Sequence, residues 1–263
     1  MQRSRLRRSL QEKAGIARSL WHYHASRARL RRMRAFYGQF VARNTLVFDI
    51  GAHVGDRVRV FRALGADVVA VEPQPAAVTC LKWLFGRSSR VHLVESAVSD
   101  REGQVTFNIN LDNPTVSTAS AAFITAADGA EGWAEQRWEE TRTVPATTLD
   151  ALIARFGEPG FIKIDVEGFE DAALAGLSRA VPALSFEFTM IQRAVAFRCI
   201  DRLQALGDYR YNLSFGESFA MEYERWLSAR EMADRLAALS PAVNSGDLYA
   251  FLSSAPIRAR IRA

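Results

Sequence analysis

A glycine-containing turn, with acidic residues at fixed distances from it, is the strongest candidate for a chemical site in this sequence. Gly51 and Gly55 follow the apolar run Leu46–Ile50, which contains Asp49, and they lead into a predicted helix. Glycines let a backbone approach a ligand closely, and the start of a helix offers unpaired N–H groups. Glu72 lies 21 residues after Gly51, where an acid typically accepts hydrogen bonds from both hydroxyls of a ribose. The pattern predicts a ribose-containing ligand.

The spacing around this turn distinguishes two classes of cofactor. A dinucleotide site usually has the pattern GxGxxG, whose glycines make room for a pyrophosphate. The segment Gly-Ala-His-Val-Gly at residues 51–55 lacks that pattern. A carboxylate such as Asp49 would repel a pyrophosphate, whereas it would attract the ammonium group of a methionine moiety. The sequence therefore favours S-adenosylmethionine, with an NAD-dependent oxidoreductase or a non-catalytic binding module as the alternatives.

Strands and helices must alternate to position these residues. From residue 46, short β-rich runs alternate with helical stretches, as in a parallel sheet that helices cover on both faces. The predicted strands are 46–50, 68–72, 91–94, 105–110, 161–165, 184–188, 209–215 and 247–252, and predicted helices include 76–85, 149–156, 170–180, 195–206 and 229–239. The last two strands lack a full crossover, which predicts antiparallel pairing at one edge. We expect an α/β fold with a mostly parallel, seven-stranded sheet and an insertion or lid at about residues 101–147.

Four segments together resemble the FkbM family of methyltransferases. They are DIGAHVG at 49–55, VEPQP at 71–75, VPATTLD at 144–150 and KIDVEGFE at 163–170. The resemblance covers roughly residues 44–190, and the Asp-Val-Glu-Gly segment is its most specific part. It implies a class I methyltransferase Rossmann-like fold, S-adenosylmethionine as the cofactor, and methyl transfer to a hydroxyl of a sugar, glycoconjugate or natural product.

The resemblance also implies a set of cofactor-binding residues. They lie at the ends of the first four predicted parallel strands: Asp49, Gly51, Ala52, His53, Gly55, Glu72, Pro73, Ser96, Ala97 and Asp165. The residues around the glycine turn would line the methionine part of the cofactor, Glu72 would hold the ribose, and the turn after the third strand would lie against the adenine. His53 is a departure, because the family usually has Asn there.

Transfer to a hydroxyl requires removal of its proton, so a general base or a metal ion is useful. Glu167, Glu187 and His53 are the candidate bases, and Asp165 is a further candidate. Each also has a structural interpretation, such as capping a helix or forming a hydrogen bond with a neighbouring residue. Asp165 and Glu167 could bind a divalent ion together with water. No cluster of His or Cys accompanies them, so the sequence predicts no metal site.

Charge is distributed unevenly along the chain. Its net charge is +5, but residues 1–34 contain eleven arginines and lysines against one acid, so the remaining residues carry a net charge of −5. Residues 1–43 are predicted to form a basic helical segment in front of a methyltransferase domain at 44–263. Packing of this segment on the domain, contact with an anionic membrane or cell-envelope polymer, and binding to a docking partner remain open interpretations. Binding to nucleic acid is the least favoured.

The remaining features indicate the cellular compartment. No apolar run approaches the roughly 18 residues of a membrane-spanning helix. The pair Arg7-Arg8 lacks the apolar stretch that an export signal needs. Cys80 and Cys199 form no CxxC pair, which disfavours a disulfide framework and a zinc site. We therefore expect a cytoplasmic protein that acts on a small-molecule or carbohydrate acceptor, and the sequence leaves its oligomeric state open.

Overall fold

The computed structural model describes residues 2–240 and 242–255, without the side chains of residues 2–7 and 9. Its strands are β1 (Leu46–Ile50), β2 (Asp67–Val71), β3 (Val91–Val94), β4 (Ala97–Val98), β5 (Gly103–Ile109), β6 (Glu140–Thr147), β7 (Phe161–Ile164), β8 (Ala183–Thr189), β9 (Tyr209–Phe215) and β10 (Ser245–Leu252). Its helices are α1 (Gln2–His24), α2 (Arg27–Tyr37), α3 (Asp56–Ala63), α4 (Pro75–Phe85), α5 (Ala121–Ala127), α6 (Leu149–Phe156), α7 (Glu170–Ala175), α8 (Arg193–Leu206) and α9 (Ala229–Ala237).

The main sheet has seven strands in the order β3-β2-β1-β7-β8-β10-β9. The pairs from β3 to β8 are parallel, and β10 lies antiparallel between β8 and β9. The strand order reverses beside β1, and in such sheets ligands bind at the carboxyl ends of the strands next to that point. The predicted α/β fold, its seven-stranded sheet and the antiparallel edge are confirmed.

Side chains alternate across the main sheet, and each face has its own hydrophobic cluster. On β1, Phe48 and Ile50 belong to the cluster shared with α6–α9, whereas Val47 belongs to the cluster shared with α2 and α3. Strands that are covered on both faces need apolar side chains at nearly every position. Asp49 on β1 and Lys163 on β7 break this rule, since they are only 1% and 0% exposed. These two polar residues mark the part of the sheet beneath the site.

The basic N-terminal segment forms two helices that pack on the sheet and on the glycine turn. The Ser26 side chain caps α2 by accepting a hydrogen bond from the backbone of Arg29. Met33 and Tyr37 on α2 are fully buried in the cluster that contains Val47. At the end of α1, a ring nitrogen of His24 lies 2.9 Å from the carbonyl oxygen of Val54. Contact of this segment with an anionic membrane stays a prediction.

A second, three-stranded sheet in the order β4-β6-β5 joins β4 to the inserted residues 101–147. The sequence pattern predicts only β5, because β4 has two residues and β6 contains Pro145 and two charged residues. Between β5 and β6, a short 3₁₀ turn at Pro114–Val116 lies at the end of the main sheet. Phe123 on α5 lies close to Gly168 in the turn after β7. This region contributes one wall of the candidate site.

The helix predicted over residues 170–180 is wrong in its last five positions, because α7 ends at Ala175. Gly176 follows the helix and lies against the carbonyl oxygen of Ser99, from which an added Cβ would be only 2.3 Å away. This contact joins two segments that are far apart in the chain, so the local pattern gave no sign of it.

Within the described residues, no helix has the length and apolar character needed to cross a lipid bilayer.

The burial of α2 leads to a stability prediction. Met33→Ala should lower the free energy of unfolding by about 2–5 kcal/mol, because it leaves a cavity in a closely packed cluster. The neighbouring Arg32 is exposed, so Arg32→Ala should change that free energy by less than about 0.5 kcal/mol. Urea unfolding followed by circular dichroism measures both. Equally small losses in the two variants would show that α2 is not part of the core.

Candidate functional site

Two adjoining pockets open at the carboxyl ends of β1, β2, β7 and β8. The first pocket contains about 520 Å³ of empty space and the second about 1130 Å³, in each case including space that is open to solvent. They share five lining residues, namely Gly51, His53, Thr115, Asp165 and Glu167. Since the shared residues include several that the sequence singled out, the junction between the pockets is the candidate reaction site.

The glycine turn forms the wall between β1 and the first pocket. The backbone N–H groups of Gly51 and Ala52 both donate to the carbonyl oxygen of Val71, at 2.9 and 3.1 Å. Gly51 has φ +81°, and an added Cβ would lie 1.8 Å from the carbonyl oxygen of Asp165. Only glycine fits there, because the turn after β1 touches the chain that leaves β7. This contact brings the ends of the two strands together.

His53 occupies a left-handed backbone conformation within the same turn, with φ 44°. Asn and His enter this region more readily than most residues, which explains how His53 replaces the Asn that the resemblance leads one to expect. Its Nε2 lies 3.5 Å from Thr115 Oγ1, and its ring meets the Tyr23 ring edge-on at 6.3 Å. Burial lowers the pKa of His53 to about 4, so the imidazole is neutral at pH 7.

Glu72 is held rigidly at the end of β2 with its carboxylate facing the first pocket. Its two oxygens accept the backbone N–H groups of His53 and Gln74, at 2.9 and 2.8 Å. Glu72 is 4% exposed, and burial raises its pKa to about 7 although the two N–H groups oppose this. Each carboxylate oxygen can accept more than one hydrogen bond. Both oxygens therefore remain able to bind ligand hydroxyls.

The remainder of the first pocket is largely apolar. Ile50, Val71, Val98 and Phe107 line it beside the predicted Pro73, Ser96 and Ala97. The Ser96 hydroxyl donates to the carbonyl oxygens of Ala97 and Pro145, at 3.0 Å each, which fixes the turn after β3. A flat, mostly apolar heterocycle with a ribose at Glu72 suits this lining.

Two predicted cofactor residues, Asp49 and Gly55, do not line either pocket. Gly55 has φ +78° at the start of α3, and an added Cβ would lie 2.5 Å from the Phe85 ring. Both carboxylate oxygens of Asp49 are buried without a hydrogen-bond partner among the described residues. Burial raises the pKa of Asp49 to about 7. A buried carboxylate with no donor is costly, and a ligand ammonium that approaches through the glycine turn would relieve that cost.

Three carboxylates meet where the two pockets join. One oxygen each from Asp165, Glu167 and Glu187 lies within 4.8 Å of the others, and we call this set the carboxylate cluster. Asp165 and Glu167 line both pockets, whereas Glu187 lines the second pocket. The cluster combines the turn after β7 with β8, so two residues predicted as separate candidate bases lie at one place.

The turn after β7 holds Glu167 in place. Glu167 is 8% exposed and has φ 54°, a strained conformation for a residue other than glycine. Its carbonyl oxygen accepts a hydrogen bond from Thr118 Oγ1 at 2.7 Å. Glu170 Oε1 accepts the backbone N–H groups of Val166 and Gly168, at 3.0 and 3.3 Å. The side chain of Glu167 is thus positioned by contacts to its backbone on both sides.

Lys163 and Arg57 supply positive charge next to Asp165. Lys163 Nζ donates to Asp165 and to Asp247, at 2.9 Å each. Burial alone would lower the pKa of Lys163, but these two carboxylates outweigh it and raise the pKa well above its usual range. Arg57 lies 3.9 Å from Asp165 and also pairs with Asp56 and with Glu217. Despite its burial, Asp165 therefore has a lowered pKa.

Glu167 and Glu187 have no comparable cation. Among the described residues, no basic side chain lies within 4.0 Å of either carboxylate. Burial, followed by the charge of Asp165, raises the pKa of Glu167 well above its usual range. Burial and the charges of Glu167 and Asp165 do the same for Glu187. Their ionised forms therefore require positive charge from a ligand.

The second pocket contains residues that the sequence analysis did not identify as functional. His22 and Tyr23 at the end of α1 line it together with Glu217 and Asp247. Arg29 pairs with both Asp56 and Glu217, and its guanidinium lies 5.0 Å from the centre of the Tyr23 ring. A charged residue in a buried strand was a signal for Lys163 and Asp247, whereas no local pattern marked Tyr23.

A family model described as the Methyltransferase FkbM domain matches residues 49–215, which is more than half of the chain. Among curated proteins, none matches the sequence.

Three solved structures are similar to this chain over most of its length. A TehB-like SAM-dependent methyltransferase from Corynebacterium glutamicum has 10% identity and a TM-score of 0.47 over 90% of this chain and 94% of that one. Fibrillarin from Aeropyrum pernix, with S-adenosyl-L-methionine bound, has 9% identity and a TM-score of 0.43 over 80% and 68% of the two chains. A precorrin-6y C5,15-methyltransferase from Geobacter metallireducens has 10% identity and a TM-score of 0.42 over 84% and 87%. At these TM-scores the three similarities add nothing to the family match.

The glycine turn by itself did not exclude a nicotinamide cofactor, whereas the family match does exclude it. The first pocket fits S-adenosylmethionine, because an acid at the ribose position and a largely apolar wall lie side by side in it. The chain belongs to the FkbM family of methyltransferases, with S-adenosylmethionine as its methyl donor.

Proposed function

We propose that this protein transfers a methyl group to a hydroxyl oxygen of a neutral, polyhydroxylated acceptor, such as a sugar, glycoconjugate or hydroxylated natural product. The observation that carries this proposal is the carboxylate cluster at the junction of a largely apolar pocket and a polar pocket. An oxygen acceptor must lose a proton during transfer, and the cluster offers carboxylates at the place where the two substrates would meet.

The first pocket would hold the cofactor. Glu72 would accept hydrogen bonds from the ribose hydroxyls, Ala97 and Pro73 would lie beside the adenine, and Asp49 would face the ammonium of the methionine tail. Bound S-adenosylmethionine supplies a methyl group on a positively charged sulfur, which needs positioning more than activation. The contact of Gly51 with Asp165 keeps the cofactor wall and the carboxylate cluster at a fixed separation.

The second pocket would hold the acceptor. Its lining includes six carboxylates, of which Asp56, Glu217 and Asp247 lie outside the carboxylate cluster, and one arginine, Arg57. Polar walls suit an acceptor with many hydroxyl groups, because each can donate to a carboxylate. An anionic acceptor would be repelled by the excess of negative charge. A neutral acceptor is therefore favoured over a phosphorylated or carboxylated one.

Glu167 is the proposed base. It lines both pockets, and no N–H or O–H group of the described residues donates to its carboxylate. Its oxygens are therefore available to accept the proton from the acceptor hydroxyl. Asp165 is a weaker candidate because Lys163 holds its pKa low. His53 is neutral but has a pKa of about 4, which makes it a weak proton acceptor, and Glu187 lines only the second pocket.

The acceptor class is tested by a labelling screen. The protein is incubated with S-adenosylmethionine that has an isotopically labelled methyl group and with neutral sugars, uronic acids, sugar phosphates and natural-product extracts. We expect label on a hydroxyl oxygen of a neutral acceptor, detected by mass spectrometry. Label on nitrogen or carbon, or a preference for the anionic compounds, would contradict the proposal.

The ribose role predicts the effect of Glu72→Ala. The variant should bind S-adenosylhomocysteine more weakly by about 1–3 kcal/mol, because one or two hydrogen bonds are lost. Calorimetry measures this affinity. Circular dichroism checks that the variant still folds, since it lacks the carboxylate that accepts two backbone N–H groups. Glu102→Ala removes an exposed carboxylate and serves as the matched control. An unchanged affinity in Glu72→Ala would remove Glu72 from the cofactor site.

The raised pKa of Asp49 predicts a pH dependence of cofactor binding. With a pKa of about 7, Asp49 is protonated at pH 5–6 in the free protein. A ligand ammonium favours the ionised form, so binding releases this proton and the affinity increases as the pH rises, by up to about tenfold per unit below pH 7. Calorimetry with S-adenosylhomocysteine between pH 5 and 8 should show a flatter profile for Asp49→Asn. Identical profiles would show that Asp49 does not face the ammonium.

The base role predicts that Glu167→Gln lowers kcat with an identified acceptor by about 10²–10⁴-fold. Its affinity for S-adenosylhomocysteine should change far less, because the variant retains the size of the side chain. Glu187→Gln and His53→Gln, measured in the same assay, should lose less activity. If either loses more than Glu167→Gln does, the base has been assigned to the wrong residue.

A further inference from the structure

We propose that the carboxylate cluster binds a divalent cation of the class that prefers oxygen ligands, such as Mg²⁺, Mn²⁺ or Ca²⁺. The site would lie between the two pockets, with Asp165, Glu167 and Glu187 each supplying one oxygen. The role of the cation in catalysis rests on the proposed transfer to a hydroxyl, whereas the binding site itself does not.

The spacing of the three carboxylates is within the range of a shared cation. Their closest oxygens all lie within 4.8 Å of one another. Oxygens bound to one Mg²⁺ or Ca²⁺ at about 2.1–2.4 Å are separated by roughly 3–5 Å, depending on the angle at the ion. Small side-chain rotations would bring all three within coordination distance, and the second pocket leaves room for water or a hydroxyl as further ligands.

The hydrogen bonding of the cluster provides a second, independent observation. Glu167 is 8% exposed, yet its carboxylate receives no hydrogen bond from the described residues. Glu187 Oε2 is also buried without a partner there. Burying a carboxylate without a donor or a counter-ion is strongly unfavourable. Both side chains, Glu167 and Glu187, therefore indicate a ligand that the described residues do not provide.

The distribution of charge supports a cation as that ligand. Lys163 is shared between Asp165 and Asp247, and Arg57 lies closer to Asp56 than to Asp165. Neither reaches Glu167 or Glu187, so two carboxylates in the described part of the chain have no counter-ion. A divalent cation at the cluster would balance these two charges. The ammonium of the cofactor has a separate candidate partner in the buried Asp49.

A cation there would assist the proposed transfer without changing the base. It would bind the oxygen of the acceptor hydroxyl and lower the pKa of that hydroxyl. The O–H bond would break as its proton moves to the second oxygen of Glu167. The acceptor oxygen would form a bond to the methyl carbon while the bond between that carbon and the sulfur breaks, which leaves S-adenosylhomocysteine. Each carboxylate coordinates through one oxygen only, which leaves the other oxygen of Glu167 free to accept the proton.

The test is a direct measurement of Mn²⁺ binding to the full-length protein. After treatment with a chelator and its removal, Mn²⁺ is titrated into the protein without cofactor, and electron paramagnetic resonance quantifies the free ion. We expect a single site. The double variant Glu167→Gln/Glu187→Gln should bind Mn²⁺ at least tenfold more weakly, whereas Asp201→Asn, which removes an exposed carboxylate on α8, should bind it like the unmodified protein.

Absence of a Mn²⁺ site in the unmodified protein would overturn the proposal, as would equal binding by the double variant. Thermal unfolding checks the folding of each variant, and the single variant Glu187→Gln replaces the double variant if that one does not fold. Binding of S-adenosylhomocysteine in the presence of chelator is measured in parallel. If the unmodified protein does not bind Mn²⁺ but the labelling screen still finds label on a hydroxyl oxygen, the cation proposal fails and the proposed function stands. If the protein binds Mn²⁺ but the label lies on nitrogen or carbon, only the proposed function fails.

Discussion

The excess of buried carboxylates over basic side chains at the end of the sheet is the constraint on which this site depends. Lys163, wholly buried, neutralises part of that charge by bridging Asp165 and Asp247. Without it, the strands β7 and β10 would carry unpaired negative charge inside the protein, which is strongly unfavourable. The ionised forms of Glu167 and Glu187 have no basic partner among the described residues. A positively charged ligand would stabilise those forms.

Close contact between backbone segments gives the site its geometry. Gly51 touches the carbonyl oxygen of Asp165, so the turn after β1 and the turn after β7 cannot move independently. Glu72 binds two N–H groups of neighbouring turns, and Thr118 from the inserted region binds the backbone of Glu167. The cofactor wall, the cluster and the covering segment therefore form one connected framework. Such preorganisation is what a methyl transfer requires, because its rate depends mainly on positioning.

The N-terminal helices take part in this framework. Met33 and Tyr37 anchor α2 in the core, and Arg29 links the segment to Asp56 and to Glu217 at the second pocket. Tyr23 then forms part of the pocket wall. A segment whose charge suggests a solvated surface therefore also contributes to the proposed acceptor site. Its described basic side chains are mostly exposed, whereas Ile16, Met33 and Tyr37 are buried together with one arginine, Arg29.

The sequence by itself determined the features that depend on neighbouring residues. Alternating apolar runs predicted the sheet, and the spacing of Gly51 and Glu72 indicated the ribose-containing cofactor, because a turn at the end of a strand is specified by residues close together in the chain. Only the tertiary structure showed that Glu167 and Glu187 meet, and that Lys163 pairs with a carboxylate from β10. Such pairs come from strands distant in sequence, and their energies depend on burial and on charges that no local pattern records.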